Sequence, residues 1–143
     1  MQRQNLVKFL VGFLLFAAFA SPSFAADNKI VGTWAVTFNG DDTTQAVMTY
    51  HQDGTFDSTS SSGNVTSAKG VWEKAGPRTF VERNKSFSLD ANGNLAFVLD
   101  STEVLELSND GQSYTGEVVT QVSLPDGTPV ATVSSSTAAS RLN

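Results

Sequence analysis

The sequence predicts an all-β domain, an eight-stranded antiparallel up-and-down β-barrel that follows a cleaved signal peptide. Three observations carry this reading. An apolar leader ends in small residues, turn dipeptides recur at even spacing through the rest of the chain, and the segments between them alternate apolar with polar residues.

The leader comes first. Met1 to Lys8 carries Arg3 and Lys8 and no acid, and Phe9 to Ala20 is an almost unbroken apolar run. Ser21-Pro22 breaks that run, and Ser23-Phe24-Ala25 places small residues three and one before a cut after Ala25. This is the plan of a secretory signal peptide. The run is shorter than the ~18 residues a membrane-spanning helix needs. Ala18 to Ala20 offers a second cleavage pattern. The expectation is a signal peptide over 1–25, a single domain over 26–143, and a secreted or periplasmic location.

A domain of that size buries roughly two-thirds of its chain surface on folding, enough for a core without covalent staples. The chain has no cysteine, so disulfides, thiolate metal sites and cysteine nucleophiles are excluded. Without Arg3 and Lys8, seven of the nine basic residues remain against fourteen acidic ones, a net charge of −7. The basic residues are scattered, which argues against nucleic acid or an anionic membrane surface as a partner.

Seven turn signals divide the rest of the chain. They are Asn39-Gly40, Asp53-Gly54, Ser62-Gly63, Gly76-Pro77, Asn92-Gly93, Asp110-Gly111 and Asp126-Gly127. Asn-Gly and Asp-Gly supply the positive φ angles of tight hairpins. The segments between them run near 30–38, 43–51, 55–61, 66–74, 78–89, 94–107, 112–124 and 128–140. The first sets Trp34, Val36 and Phe38 on one face, and the second sets Ala46, Met48 and Tyr50. The sixth sets Leu95, Phe97, Leu99, Leu105 and Leu107 on one side, and the seventh sets Tyr114, Val118, Val122 and Leu124. Period-2 alternation is the mark of strands with one buried face. The fifth segment changes phase between Phe80 and Phe87, and a β-bulge near Arg83 to Ser86 would bring both inside. Eight short strands joined by tight turns close well into a barrel, which removes both exposed edges. A two-sheet sandwich would need longer crossing connections.

An early Gly32-Thr33-Trp34 on the first strand of an eight-stranded meander resembles the calycin barrels: lipocalins, fatty-acid-binding proteins and avidins. The resemblance implies that Trp34 closes one barrel end and that an Arg from the last strand, here Arg141 in "ASRLN", packs across it. An up-and-down meander brings the start of strand one and the end of strand eight to the same end, and a guanidinium over an indole gains ~0.5–2 kcal/mol. The chain departs from its relatives in lacking a T-D-Y motif before strand seven, where it reads "LSNDGQSYTG", and in leaving no room for the helices that lipocalins and fatty-acid-binding proteins carry. No biotin site maps onto it. The pattern also resembles small secreted bacterial proteins of unassigned function.

The candidate chemistry is sparse. His51, the only histidine, stands near Asp53 as a base with its orienter, or as a surface residue flanking a turn. One histidine and no cysteine leave little material for a metal cluster or a Ser-His-Asp triad, and no cofactor is expected. Glu103 is polar on the apolar face of its strand and should point inward together with Ser101. A carboxylate there orients a ligand or acts as general acid or base, unless a bulge turns it outward or Arg83 or Lys85 pairs with it. Phe38, Met48, Tyr50, Phe56, Trp72, Phe80, Phe97, Leu99, Glu103, Tyr114 and Val118 form the inward set, either a filled core or the lining of a ligand cavity. The polar Ser58–Ala68 stretch, at the end opposite Trp34, reads as a gate over the mouth or a flexible hairpin tip. Asn64-Val65-Thr66 and Asn84-Lys85-Ser86 match the glycosylation pattern, which a Ser/Thr-rich chain produces by accident.

The expected function is an exported, monomeric or weakly oligomeric barrel that binds a small, largely apolar molecule. The alternatives are an enzyme resembling the allene oxide cyclase-type barrels, with Glu103 or Tyr114 at work, and a filled-core interaction module.

Overall fold

The computed structural model describes residues 29–143, with the side chains of Asp41 and Asp42 outside the description. The leader and its cut after Ala25 lie outside the described residues. Eight strands follow one another: β1 (Gly32–Phe38), β2 (Asp41–Tyr50), β3 (Thr55–Ser60), β4 (Ala68–Lys74), β5 (Thr79–Leu89), β6 (Leu95–Leu107), β7 (Ser113–Ser123) and β8 (Pro129–Arg141). Each pairs antiparallel with the next, and β8 returns to β1, so the sheet is a closed up-and-down barrel with no helix among the described residues. The turns are those the dipeptides mark. Asn39 and Gly40 both take positive φ, 53° and 66°, as a tight two-residue hairpin demands.

Closure runs along the β1–β8 seam, where Trp34 faces Arg141 and Phe38 faces Thr137. The end at which β1 starts and β8 stops is the lower end here. Trp34 is fully buried there and donates its Nε1–H to the Ile30 carbonyl at 2.9 Å. The Arg141 guanidinium lies 4.3 Å from the Trp34 ring centroid. It also donates to the carbonyls of Val31 (2.9 Å), Gly111 (3.1 Å) and Lys29. Gly32 explains the first letter of the G-x-W pattern. Its φ is +136°, and a Cβ there would stand 2.5 Å from Arg141 Nη1, so the guanidinium passes over the one residue able to let it by.

Above this plug the lower half is filled by aromatic rings. Trp34 packs on Tyr114 with centroids 5.1 Å apart, and Tyr50 contacts Phe56 at 5.0 Å, Tyr114 at 6.3 Å and Trp72 at 6.4 Å. Phe80 completes the group at 5.9 Å from Trp72. Tilted and edge-on geometries of this kind add to the burial of the rings themselves.

The fifth strand differs from expectation. β5 runs without a bulge from Thr79 to Ser88 against β6, and its register shifts only between Ser88 and Leu89. The even phase set by Phe80 therefore persists and turns Glu82 and Ser86 inward, while Phe87 lies outside with 39% of its surface exposed. One phenyl ring half-covered on the exterior is tolerated more readily than an interrupted ladder in the β5–β6 hairpin. A second slip falls between Val122 and Ser123 of β7, so Ser123 is buried and Leu124 is exposed rather than inward. The Ser58–Ala68 stretch is fastened rather than free. Thr66 N–H donates to the Phe87 carbonyl at 2.9 Å, Leu89 N–H donates to the Asn64 carbonyl at 2.8 Å, and Val65 bridges Ser88.

Candidate functional site

Along each strand the inward side chains change character with height. β5 passes from Phe80 through Glu82 and Asn84 to Ser86, β7 from Tyr114 through Gly116 and Val118 to Thr120, and β3 from Phe56 through Ser58 to Ser60. Large rings occupy the bottom, carboxylates the waist, and small hydroxyl residues the top. Small residues leave volume, and the upper half contains a cavity of about 430 Å³, within the range of small-molecule sites. Its lining sets Phe38, Ala46, Met48, Val65, Ala68, Val118 and Val133 among Ser58, Ser60, Asn84, Ser86, Ser101, Thr120 and Ser135, over Glu82 and Glu103.

Glu82 and Glu103 form the floor. They stand directly opposite one another in the β5–β6 ladder, and each is only 1% exposed. Tyr50 donates its hydroxyl to Glu82 Oε2 at 2.8 Å, and Asn84 Nδ2 donates to Glu82 Oε1 at 2.8 Å. Thr137 Oγ1 donates to Glu103 Oε1. Glu103 Oε2 is buried with no hydrogen-bond partner, the one such side-chain atom among the described residues. Gly116 makes room for this carboxylate. A Cβ at Gly116 would lie 2.1 Å from Glu103 Oε1 and 2.6 Å from Thr137 Oγ1.

Burial dominates the electrostatics of the pair. Desolvation first, and the Glu103 charge after it, push the Glu82 carboxyl up to about 8 against the pull of the hydrogen bonds from Tyr50 and Asn84. Desolvation raises Glu103 to about 7 against the pull of Thr137. Below the floor, the Tyr114 hydroxyl lies 3.4 Å from both Tyr50 Oη and Met48 Sδ. Both tyrosines are held well above the usual phenol range, by burial first and by the neighbouring glutamates after it, and stay neutral. Burial thus favours the protonated form of both carboxyls.

The structure divides the residues expected at a site. Phe38, Met48, Glu103 and Val118 border the cavity. Tyr50, Phe56, Trp72, Phe80 and Tyr114 are buried in the packed lower half, where Tyr50 reaches the site only through Glu82. Phe97 and Leu99 are half-buried on the upper part of β6, outside the lining. Glu103 points inward as its phase requires, but neither proposed partner meets it. Arg83 pairs with Glu73 at 3.1 Å and Lys85 with Asp100 at 3.2 Å, both on the outside of the barrel. Odd positions of β5 face away from the interior, so neither cation can reach the floor.

His51 is an exposed residue beside a lower turn. It contacts Asp57 at 2.6 Å rather than Asp53, whose carboxylate instead receives the Thr55 N–H at 2.9 Å. Asn84 faces inward and is committed to Glu82, so it offers no outward-facing amide. Among the described residues, no group of three or more His, Cys, Asp or Glu is placed to hold a metal ion.

Sequence reasoning found Glu103 and missed Glu82. The signal for Glu82 was present, because it lies two residues beyond Phe80 on the same face. It also stands as far before the Asn92–Gly93 peptide bond as Glu103 stands after it, so a simple hairpin pairs the two.

No protein-family model, no curated protein and no solved structure matches the chain.

Proposed function

We propose that this protein is an exported carrier or sensor that holds a small molecule in the upper half of its barrel. The reading rests on one observation: a cavity of about 430 Å³ sits over a rigid, aromatic-filled base instead of being filled itself. A β-barrel reaches high packing whenever its inward residues are large, as the lower half demonstrates, so the small residues above are a choice of volume. The lining suits a ligand with an apolar body against Met48, Val118 and Val133 and a polar group toward the floor. The likeness to calycin barrels, carried by Gly32, Trp34 and Arg141 at the closed end, agrees with this division into a plugged base and an open top. Export is carried by the leader, and the mature chain would begin at Ala26.

Native mass spectrometry of the protein purified from its source tests the reading directly. The expected result is a retained, dissociable mass that is lost in Ser58→Phe, where a ring would occupy the cavity. A second arm titrates an apolar fluorescent dye. Absence of both a retained mass and any saturable, displaceable dye signal would remove the binding function. Amino-terminal sequencing of the exported protein checks the cut.

An acid–base enzyme is the second reading, favoured by two carboxyl groups that exchange protons near neutrality within one cavity. In such a reaction the Glu103 carboxylate would take a proton from a substrate carbon while the Glu82 carboxyl returned one to another atom. Tyr114, beneath the floor, does not border that space.

A further inference from the structure

The binding reading leaves the polar part of the ligand open, and the floor of the cavity narrows it. Three of the four carboxylate oxygens of Glu82 and Glu103 accept hydrogen bonds from Tyr50, Asn84 and Thr137, and the fourth, Glu103 Oε2, accepts none. Among the described residues no cation reaches the pair. Arg83 and Lys85 are engaged outside the barrel, and Arg141 is held by main-chain carbonyls and Trp34 at the closed end. The other titratable groups facing the pair are Tyr50 and Tyr114, which carry no positive charge in any state. Two buried acids side by side without a counter-charge either hold protons or need a cation to stand against them when ionised. The arrangement is also built, since Gly116 is the only residue type that leaves Glu103 its place.

We propose that the Glu82–Glu103 pair receives the ammonium group of a small organic amine, with Glu103 Oε2 as the acceptor left open for it and the apolar body lying in the cavity above. An ammonium carries three donors and no acceptor, which matches a floor whose free atom is an acceptor and whose nearby walls carry serine hydroxyls. A bare metal ion fits poorly. Two carboxylates already occupied by hydroxyl and amide donors make a thin ligand set, and a cavity of about 430 Å³ is far larger than an ion needs. A carboxylate ligand would meet like charge.

The inference rests on the binding reading, and a matched set of probes separates the two. Hexylamine, hexanol and hexanoate share one apolar body and differ at the polar end. Each is titrated into the isotope-labelled protein and followed by amide NMR shifts. At about pH 8.5 hexylamine should bind at least about tenfold more tightly than hexanol, with hexanoate weakest. Lowering the pH to about 6 should weaken hexylamine by about tenfold and leave hexanol unchanged, because the floor takes up protons while the amine stays charged. In Glu103→Gln, which mimics the protonated carboxyl, the advantage of hexylamine over hexanol should fall toward one. The wild-type pH series reads the same dependence without any variant.

Equal or tighter binding of hexanol or hexanoate overturns the ammonium assignment and leaves the cavity reading standing. An unchanged hexylamine affinity in Glu103→Gln, or across the pH series, does the same. Saturable binding of none of the three overturns both.

Discussion

The two halves of this barrel are made by the same eight strands and obey the same alternation, yet one is solid and the other hollow. Below the waist, six aromatic side chains of β1–β5 and β7 (Trp34, Tyr50, Phe56, Trp72, Phe80 and Tyr114) fill the interior, and Arg141 seals it. Above it, the same strands present Ser58, Ala46, Ala68 and Thr120 around open space. The difference teaches that closure and content are separate properties. Backbone pairing determines that a barrel forms, and side-chain size at inward positions determines whether it has an inside.

Mutations that treat the halves alike should therefore have unlike effects. Trp34→Ala is expected to cost ~3–5 kcal/mol, because a close-packed ring is replaced by a void that its neighbours cannot fill. Phe38→Ala, at the half-buried upper end of the same strand, should cost less than half as much. Urea denaturation of both variants measures the contrast, and equal losses would mean that the upper half is as tightly packed as the lower.

The waist predicts a pH effect next in size. Glu82 and Glu103 have raised proton affinities in the folded protein relative to the ordinary value of 4.5. Between roughly pH 4.5 and 8 the native state therefore binds more protons than the unfolded chain, and stability falls as pH rises through that window. The loss should amount to a few kcal/mol, on the order set by about 1.4 kcal/mol for each tenfold change in proton affinity. Thermal melts across this range check it. The double variant Glu82→Gln/Glu103→Gln should flatten the fall.

Arg141→Ala should cost about 2 kcal/mol, from the lost contact with Trp34 and the carbonyl groups left to water. A Gly32→Ala variant tests the same seal from the other side, since its Cβ would displace the guanidinium. The smallest effect belongs to the upper half. Ser135→Ala should change stability by no more than ~0.5 kcal/mol, measured in the same denaturation series, because it borders space and not packed atoms.

How much of this was legible in the sequence depended on which physical signal each part gave. The strand order followed from turn chemistry, which is local, and the Trp34–Arg141 seal from the resemblance to calycin barrels, with which the strand count between them agrees. Glu103 stood out because it shares its phase along the strand with Leu99, Leu105 and Leu107. Glu82 did not, because Phe80 and Phe87 compete for the inward face of β5. Apolarity alone cannot say which of two rings a strand will leave outside; the continuous β5–β6 ladder decides it. The void stood open between a filled core and a cavity for a different reason. Period-2 alternation marks which side chains point in, and says nothing about whether their volumes add up to the space available.

The seam between β1 and β8 also gives the chain a timetable. Seven of the eight strands emerge from a ribosome before β8 does, and until then β1 and β7 are both open edges with unpaired N–H and C=O groups. Their neighbours can pair into a curled sheet, but Trp34 has no lid and the ring of hydrogen bonds has a gap. The contact that ends this condition joins the first strand to the last, the most distant pairing in the fold, and such contacts form slowly because chain entropy must be lost before they reward it. Folding to a closed state is thereby deferred until translation has passed Arg141.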